Sequence, residues 1–279
     1  MPPFSLSPES VPLLCQALMA GFGGGYVLSI RRKTRSTWWL AALFAGNGLF
    51  ATSYLLSTVA PSSGDWSLRF GLGLYVGVAL AGFAGLRLAY TFLARPFRRE
   101  ERIVTAIAAL ALAALVAGTA VALITLDGRM REPLLYGFGA FLLATAAGAL
   151  TIHLRQAARF RRLAADGHGA SVRRAAARRA SATGHRSMAA LTLVIVVLAL
   201  INALSTVGVL PPVVIQYSSL LFELVITVGL IVVFINHSPE PASVQAKLVG
   251  IALAVVLALM GLTSMALQRP PELAQAAGN

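Results

Sequence analysis

Long apolar runs alternate with short polar connections along the whole chain. A helix rises 1.5 Å per residue, so crossing about 30 Å of hydrocarbon takes about 20 residues. Eight runs reach that length, at residues 10–30, 37–59, 67–94, 103–126, 133–154, 188–209, 212–235 and 243–267. The pattern predicts an all-α, polytopic integral membrane bundle of eight transmembrane helices, in a single domain over 1–279.

The longest polar connection is 155–187, "RQAARFRRLAADGHGASVRRAAARRASATGHRS". It is predicted to continue the fifth and sixth helices beyond the membrane and to break at 167–169, where glycines flank His168. Its alanine and arginine repeats suit a solvated helix on a membrane surface. We expect His168 and His185 to be solvated rather than metal ligands, because no cysteine or carboxylate lies at zinc-site spacing.

Composition and charge support the same architecture. Hydrophobic residues make up 57% of the chain and charged residues 12%, against about 25% charged in soluble proteins, which excludes a soluble fold. The net charge of +13 would suit nucleic acid, but 19 of the 23 basic residues fall on one side of the predicted helices. This positive-inside bias predicts both termini outside the cytoplasm, and the expected location is the bacterial inner membrane. The expected partners are the lipid bilayer and its anionic head groups, with no nucleic acid.

Polar side chains inside the apolar runs are candidates for function, because they are costly in lipid. Glu223 lies near mid-membrane by residue counting, and Asn47 and Asn202 lie at comparable depth. Gln216 lies up to two turns nearer the outside. The pattern leaves two interpretations: a neutral carboxyl that joins helices by hydrogen bonds, or a ligand, ion or proton site. Arg87 is expected to extend toward the cytoplasmic interface.

Two helices carry glycines four residues apart, Gly21 with Gly25 and Gly73 with Gly77. Small residues at this spacing let helix backbones approach closely in lipid. The sequence therefore predicts close helix crossings at both pairs.

Motifs of hydrolytic enzymes are missing from the sequence. It contains neither Gly-x-Ser-x-Gly nor His-Glu-x-x-His, and no close carboxylate pair lies within a span. We expect no enzyme activity, no catalytic residue, no metal and no cofactor. The alternative of one haem would need histidines facing each other across helices, and His153 and His237 are the two near the cytoplasmic edge.

The stretch "NHSPEPAS" separates the last two apolar runs and is predicted to form a rigid cytoplasmic coupling turn. Prolines preset the backbone before a helix, and a glutamate is favoured at a helix start. The lysine one turn inside the span can reach back to the interface. The residues of this predicted turn are His237, Pro239, Glu240, Pro241 and Lys247.

The stretches "NHSPEPASVQAKLVGIAL" (236–253) and "RLAYTFLARPFRREERIV" (87–104) resemble the multi-helix membrane region of bacterial signalling proteins. In those proteins, which include sensor histidine kinases, nucleotide cyclases and serine phosphatases, such a region precedes an output domain. The chain ends at Asn279, so the resemblance is to the membrane region without an output domain. The resemblance implies characteristic positions at Tyr90, Phe97, Glu101, His237, Pro239, Glu240, Pro241, Lys247 and Gly250.

Three functions compete on the sequence. The leading one is a non-enzymatic membrane sensor or accessory subunit, which relays a signal through helix contacts to a separate output protein or within a homo-oligomer. The second is a small-molecule or ion transporter with a mid-membrane site around Glu223. The third is a structural subunit of a membrane complex. Transporters often show internal repeats and interrupted helices, and neither is evident, which favours the first and the third.

Overall fold

Helices make up every regular element in the part of the chain that the structure, a computed structural model, describes. That part comprises residues 10–30, 33–59, 66–93, 97–125, 128–165, 172–206 and 208–210, with single residues or short pieces at 228–230, 232–233, 236, 255 and 259. The long helices are α1 (Ser10–Ser29), α2 (Arg35–Val59), α3 (Trp66–Thr91), α4 (Arg98–Thr125), α5 (Arg131–Ala165) and α6 (Val172–Thr206). A short 3-10 helix, Gly128–Met130, precedes α5.

Five of these helices, α2 to α6, are long and apolar enough to cross a membrane, and α1 contains a shorter apolar segment, Leu13–Ser29. The chain is therefore an integral membrane protein with an all-helical membrane domain. The predicted helices start and end within a few residues of α1 to α4. The predicted runs 212–235 and 243–267 lie almost entirely outside the described residues, so the count of eight spans stays a prediction.

Helices α5 and α6 extend beyond the lengths that their apolar runs suggest. Each has 35 residues, or about 52 Å at 1.5 Å per residue, against about 30 Å of hydrocarbon. The additional turns are the predicted helical continuations within 155–187. They end at Ala165 and resume at Val172, on either side of the predicted break.

Successive helices run in opposite directions, and neighbours in sequence pack together. Helix α2 packs between α1 and α3, α3 also contacts α4 and α5, and α5 contacts α4 and α6. We call one end of this bundle the basic end. It consists of the end of α3 (87–91) and the start of α4 (98–102), together with the adjoining parts of α5 (153–165) and α6 (172–186).

Two apolar clusters hold the bundle together. One joins α1, α2, α3 and α6 near the basic end, with Phe44, Leu88 and Met188 among its buried members. The other joins α3, α4 and α5 and reaches the opposite end, where Tyr75 stacks on Phe138. Helix α3 contributes to both clusters, so it is the central helix of the described bundle.

Helices α2 and α3 cross with their backbones in contact at Gly46 and Gly77. A Cβ atom placed on Gly46 would lie 2.6 Å from the backbone nitrogen of Ala81, and one placed on Gly77 would lie 2.5 Å from that of Phe50. Only glycine leaves room for this approach. A Cβ on Gly73 would lie 2.8 Å from the hydroxyl of Ser53, so the predicted close crossing at Gly73 and Gly77 is present.

The other predicted crossing, at Gly21 and Gly25 of α1, has no counterpart among the described residues. A Cβ on either glycine would meet no described atom within 4 Å. Equal spacing in the sequence therefore corresponds to different packing, because spacing gives the face of a helix but not the neighbour that faces it.

Candidate functional site

Arg87 of α3 and Glu101 of α4 form an ion pair at the basic end. The Nη1 atom of Arg87 lies 3.0 Å from Oε1 of Glu101, whose side chain is 3% exposed. The same Nη1 donates to the hydroxyl of Thr105 at 3.0 Å, and the guanidinium lies over the ring of Trp39 at 4.7 Å. Arg87 was expected to extend toward the cytoplasmic interface, and it reaches Glu101 in the first turn of α4, at the basic end. That this end faces the cytoplasm stays a prediction.

Glu100 joins three helices through one carboxylate oxygen. Its Oε1 accepts a hydrogen bond from the hydroxyl of Tyr90 on α3 at 3.1 Å and another from Nη1 of Arg155 on α5 at 2.8 Å. The guanidinium of Arg155 also lies 4.4 Å from the centre of the Phe97 ring. Glu100 belongs to the first turn of α4, where the helix dipole favours a negative charge. The end of α3, the start of α4 and Arg155 within α5 are thus joined at one carboxylate.

The end of α3 is fixed by a side chain of α5. Leu93 has a φ of +60°, a left-handed conformation that ends the helix, so the last carbonyls of α3 lack helical partners. Gln156, which is fully buried, donates from Nε2 to the carbonyl oxygen of Ala89 at 3.0 Å. An α5 amide therefore satisfies an α3 carbonyl that the helix end leaves open.

His153 of α5 and His185 of α6 face each other in the interior of the basic end. Their Nδ1 atoms are 3.1 Å apart, and the residues are 1% and 0% exposed. Phe92 contacts both rings edge-on, and Phe160 stacks on His185. One nitrogen must donate and the other accept, so at least one imidazole is neutral. The Nε2 atom of His185 is buried and has no hydrogen-bond partner among the described residues.

The expectation that His185 is solvated is wrong. The surrounding alanine and arginine repeats suggest a solvated helix, but one face of that helix packs against α5. Ala182, Met188 and Ala189 are buried on α6 along with His185, and Ala157 is buried on the facing part of α5. His168 lies outside the described residues.

We call the group of polar residues at this end the basic-end cluster: Arg87, Tyr90, Glu100, Glu101, His153, Arg155, Gln156 and His185. Five of them, Arg87, Tyr90, Glu101, His153 and His185, were named from the sequence, the two histidines in other roles. The structure brings these five together with Glu100, Arg155 and Gln156. A group of three or more histidine, cysteine, aspartate or glutamate side chains arranged to hold a metal is not found among the described residues.

The predicted mid-membrane cluster is only partly within the described structure. Asn47 is buried on α2 beside Gly46, with 9% of its surface exposed. Asn202 belongs to α6, but its side chain is outside the described part. Also outside are Gln216, Glu223 and the predicted coupling turn, His237, Pro239, Glu240, Pro241 and Lys247.

The contacts that α5 and α6 make in the cluster were not predicted from the sequence. The signal that could have revealed them is helical periodicity continuing past the apolar run. His153, Gln156, Ala157 and Phe160 lie at positions i, i+3, i+4 and i+7 and so share one face of α5. His185, Met188, Ala189 and Thr192 do the same on α6.

Polar contacts at this end link α3 with α4, both of these with α5, and α5 with α6.

Comparison with known protein families, curated proteins and solved structures finds no match for the chain.

Proposed function

We propose that the chain is a non-enzymatic sensor or accessory subunit of the bacterial inner membrane, which relays a signal to partner proteins through helix contacts. In this proposal it has eight transmembrane helices, both termini outside the cytoplasm and the basic end at the cytoplasmic face. The predicted turn around Pro239 and Pro241 lies at the same face. The partner is a separate output protein or a second copy of the chain.

The observation that carries the proposal is the position of Glu100. One carboxylate at the start of α4 holds the end of α3 through Tyr90 and the extension of α5 through Arg155. A movement of any one of these helices changes its contacts with the others at the membrane surface, where a cytoplasmic partner would bind.

Two further observations support the proposal. The basic residues concentrate at the end of the bundle that holds the basic-end cluster, which is the cytoplasmic end by the positive-inside rule. In addition, the stretch 87–104, whose resemblance is to membrane regions of signalling proteins, supplies four of the cluster's eight residues: Arg87, Tyr90, Glu100 and Glu101.

The test is affinity purification of the full chain from native membranes in mild detergent, comparing wild type with two variants. Arg155→Gln removes the charge that binds Glu100. Arg159→Gln removes the same charge from an exposed position one turn further along α5. We expect a kinase, cyclase or other output protein to co-purify with wild type and Arg159→Gln, and several-fold less with Arg155→Gln.

Two other outcomes would replace the proposal. If both variants co-purify with the same stable membrane complex, and that complex contains no output protein, the chain is better described as a structural subunit of a membrane complex. Uptake of a solute by vesicles containing only this chain, abolished by Glu223→Gln, would favour the transporter.

A further inference from the structure

The extensions of α5 and α6 border an open surface groove beyond the basic-end cluster, and the three arginines that line it are exposed. It has a volume of about 340 Å³. On α5, Arg161 and Ala164 line it, and on α6 the lining residues include Arg179, Ala182, Thr183 and Arg186. The α6 residues lie at positions i, i+3, i+4 and i+7, so they form one face of that helix.

The shape of the groove follows from residue size. Ala164 and Ala182 lie along its length, and their short side chains leave space that longer ones would fill. The three arginines extend from positions one or two turns apart along the two helices. Three exposed arginine side chains therefore line one open groove.

The groove carries positive charge with no internal compensation in the described structure. None of the lining residues is acidic, and Arg161, Arg179 and Arg186 form no ion pair with a described residue. The other arginines of this region are engaged differently. Arg155 binds Glu100, and Arg178 donates to the carbonyl oxygen of Leu163 at 2.6 Å near the end of α5.

We propose that this groove binds a phosphate-bearing anion, held by the guanidinium groups of Arg161, Arg179 and Arg186. Guanidinium groups bind phosphate oxygens through two parallel hydrogen bonds, which a single ammonium cannot reproduce. A phosphate monoester carries about −1.5 to −2 charges at neutral pH, which two or three guanidinium groups match. Carboxylate ligands, with one charge, would leave part of the positive charge unbalanced.

The position of the groove suits either of two sources of that phosphate. Arg161 is six residues beyond Arg155, or about 9 Å along the helix, and the polar layer of a bilayer is about 5–8 Å thick on each side. With the hydrocarbon boundary placed at residue 154, where the predicted fifth apolar run ends, the groove lies at the outer limit of the head groups. A phosphorylated lipid head group or a free phosphate compound could then reach it. The site does not depend on the proposed signalling role.

The test measures ligand-induced stabilisation of the full chain in mild detergent, since a ligand that binds only the folded state raises the unfolding midpoint. The probes are inorganic pyrophosphate, dihexanoyl phosphatidic acid and, as a zwitterionic control, dihexanoyl phosphatidylcholine. We expect phosphatidic acid to raise the midpoint and phosphatidylcholine not to. A rise with pyrophosphate as well shows that a free phosphate group is sufficient, and a rise with phosphatidic acid alone indicates a lipid head group.

Two sets of substitutions distinguish this groove from general attraction to a basic surface. The groove variant carries Arg161→Gln, Arg179→Gln and Arg186→Gln. The control carries Arg159→Gln, Arg162→Gln and Arg174→Gln, which remove the same charge from exposed residues outside the groove. The half-saturating probe concentration should rise at least tenfold in the groove variant and less than threefold in the control.

Three results would overturn the proposal: no midpoint change with either phosphate probe, an equal loss of affinity in both sets, or equal stabilisation by phosphatidylcholine. If the groove variant fails to fold, lysine replaces glutamine at the same three positions. That variant keeps the charge but loses the paired hydrogen bonds, so the half-saturating concentration should still rise several-fold. Unchanged binding with lysine would equally refute the site.

Discussion

Replacing Gly77 with alanine should weaken the crossing of α2 and α3. The added Cβ would lie 2.5 Å from the backbone nitrogen of Phe50 and 2.9 Å from the carbonyl oxygen of Gly46. Ordinary contact begins at 3.4 Å, so relieving the clash requires the helices to separate locally by about 0.9 Å. Both obstructing atoms belong to backbone, so no side-chain rotation can make room.

The magnitude follows from two opposing effects. Overfilling a well-packed contact costs about 1–3 kcal/mol, and a gap of 0.5–1 Å forfeits a quarter to a half of each van der Waals attraction. Alanine offsets up to about 1 kcal/mol through its higher helix propensity. We expect a net loss of about 1–2 kcal/mol in the free energy of unfolding, or a midpoint lowered by roughly 3–6 °C in a chain of this size.

The single cysteine provides the assay. Cys15 is buried in α1, and we expect a thiol-reactive fluorophore to label it only when heating opens the bundle. Gly25→Ala is the matched control, because its Cβ would meet no described atom within 4 Å. Its midpoint should equal or exceed that of wild type. Equal midpoints for Gly77→Ala and wild type, or equal losses in both variants, would refute the reasoning.

Three further outcomes are expected. Glu101→Gln should lower the free energy of unfolding by about 3 kcal/mol, because it leaves the charge of Arg87 without its carboxylate. In the same thermal assay the substitution of an exposed glutamate, Glu132→Gln, should leave the free energy of unfolding nearly unchanged. Equal losses in the two variants would contradict the ion-pair argument. His185→Phe should lower the free energy of unfolding by about 1–3 kcal/mol, because a buried nitrogen of His153 loses its hydrogen-bond partner. The double variant with His153→Phe should lose less than the sum of the two single losses. Additive losses would contradict a direct hydrogen bond. Reporter fusions should place residue 165 in the cytoplasm and residue 279 on the opposite side; a cytoplasmic C-terminus would overturn the count of eight helices.

The positions of α1 to α4 could be predicted because apolar runs of membrane length have few alternatives to a helix. The lengths of α5 and α6 needed a second argument, from the alanine and arginine repeats that continue them. Hydropathy alone ends the fifth run at residue 154, although α5 continues to Ala165. Helix propensity, not membrane burial, extends it.

The candidate site was predictable only where local sequence determines it. Glu101 lies fourteen residues after Arg87, within a single pair of adjacent helices, and both residues belong to one of the stretches that carry the resemblance. His185 bonds to His153 across thirty-two residues, and that contact depends on how α5 and α6 face each other. Sequence periodicity gives the buried face of each helix but not their relative register. Glu223 and its proposed asparagine partners stay a prediction.

The ion pair between Arg87 and Glu101 has a consequence for biogenesis. Its partners belong to α3 and α4, so a nascent chain that inserts these helices together supplies its own counter-charge at once. The partner of Glu100, Arg155, is fifty-five residues further along the chain. At ribosomal rates of about 5–20 residues per second, synthesis of those residues takes roughly 3–11 s. During that interval Glu101 is already paired with Arg87, whereas Glu100 has no arginine partner yet. The two adjacent glutamates therefore form their ion pairs at successive stages of assembly, the first within the α3–α4 hairpin and the second after α5 is made.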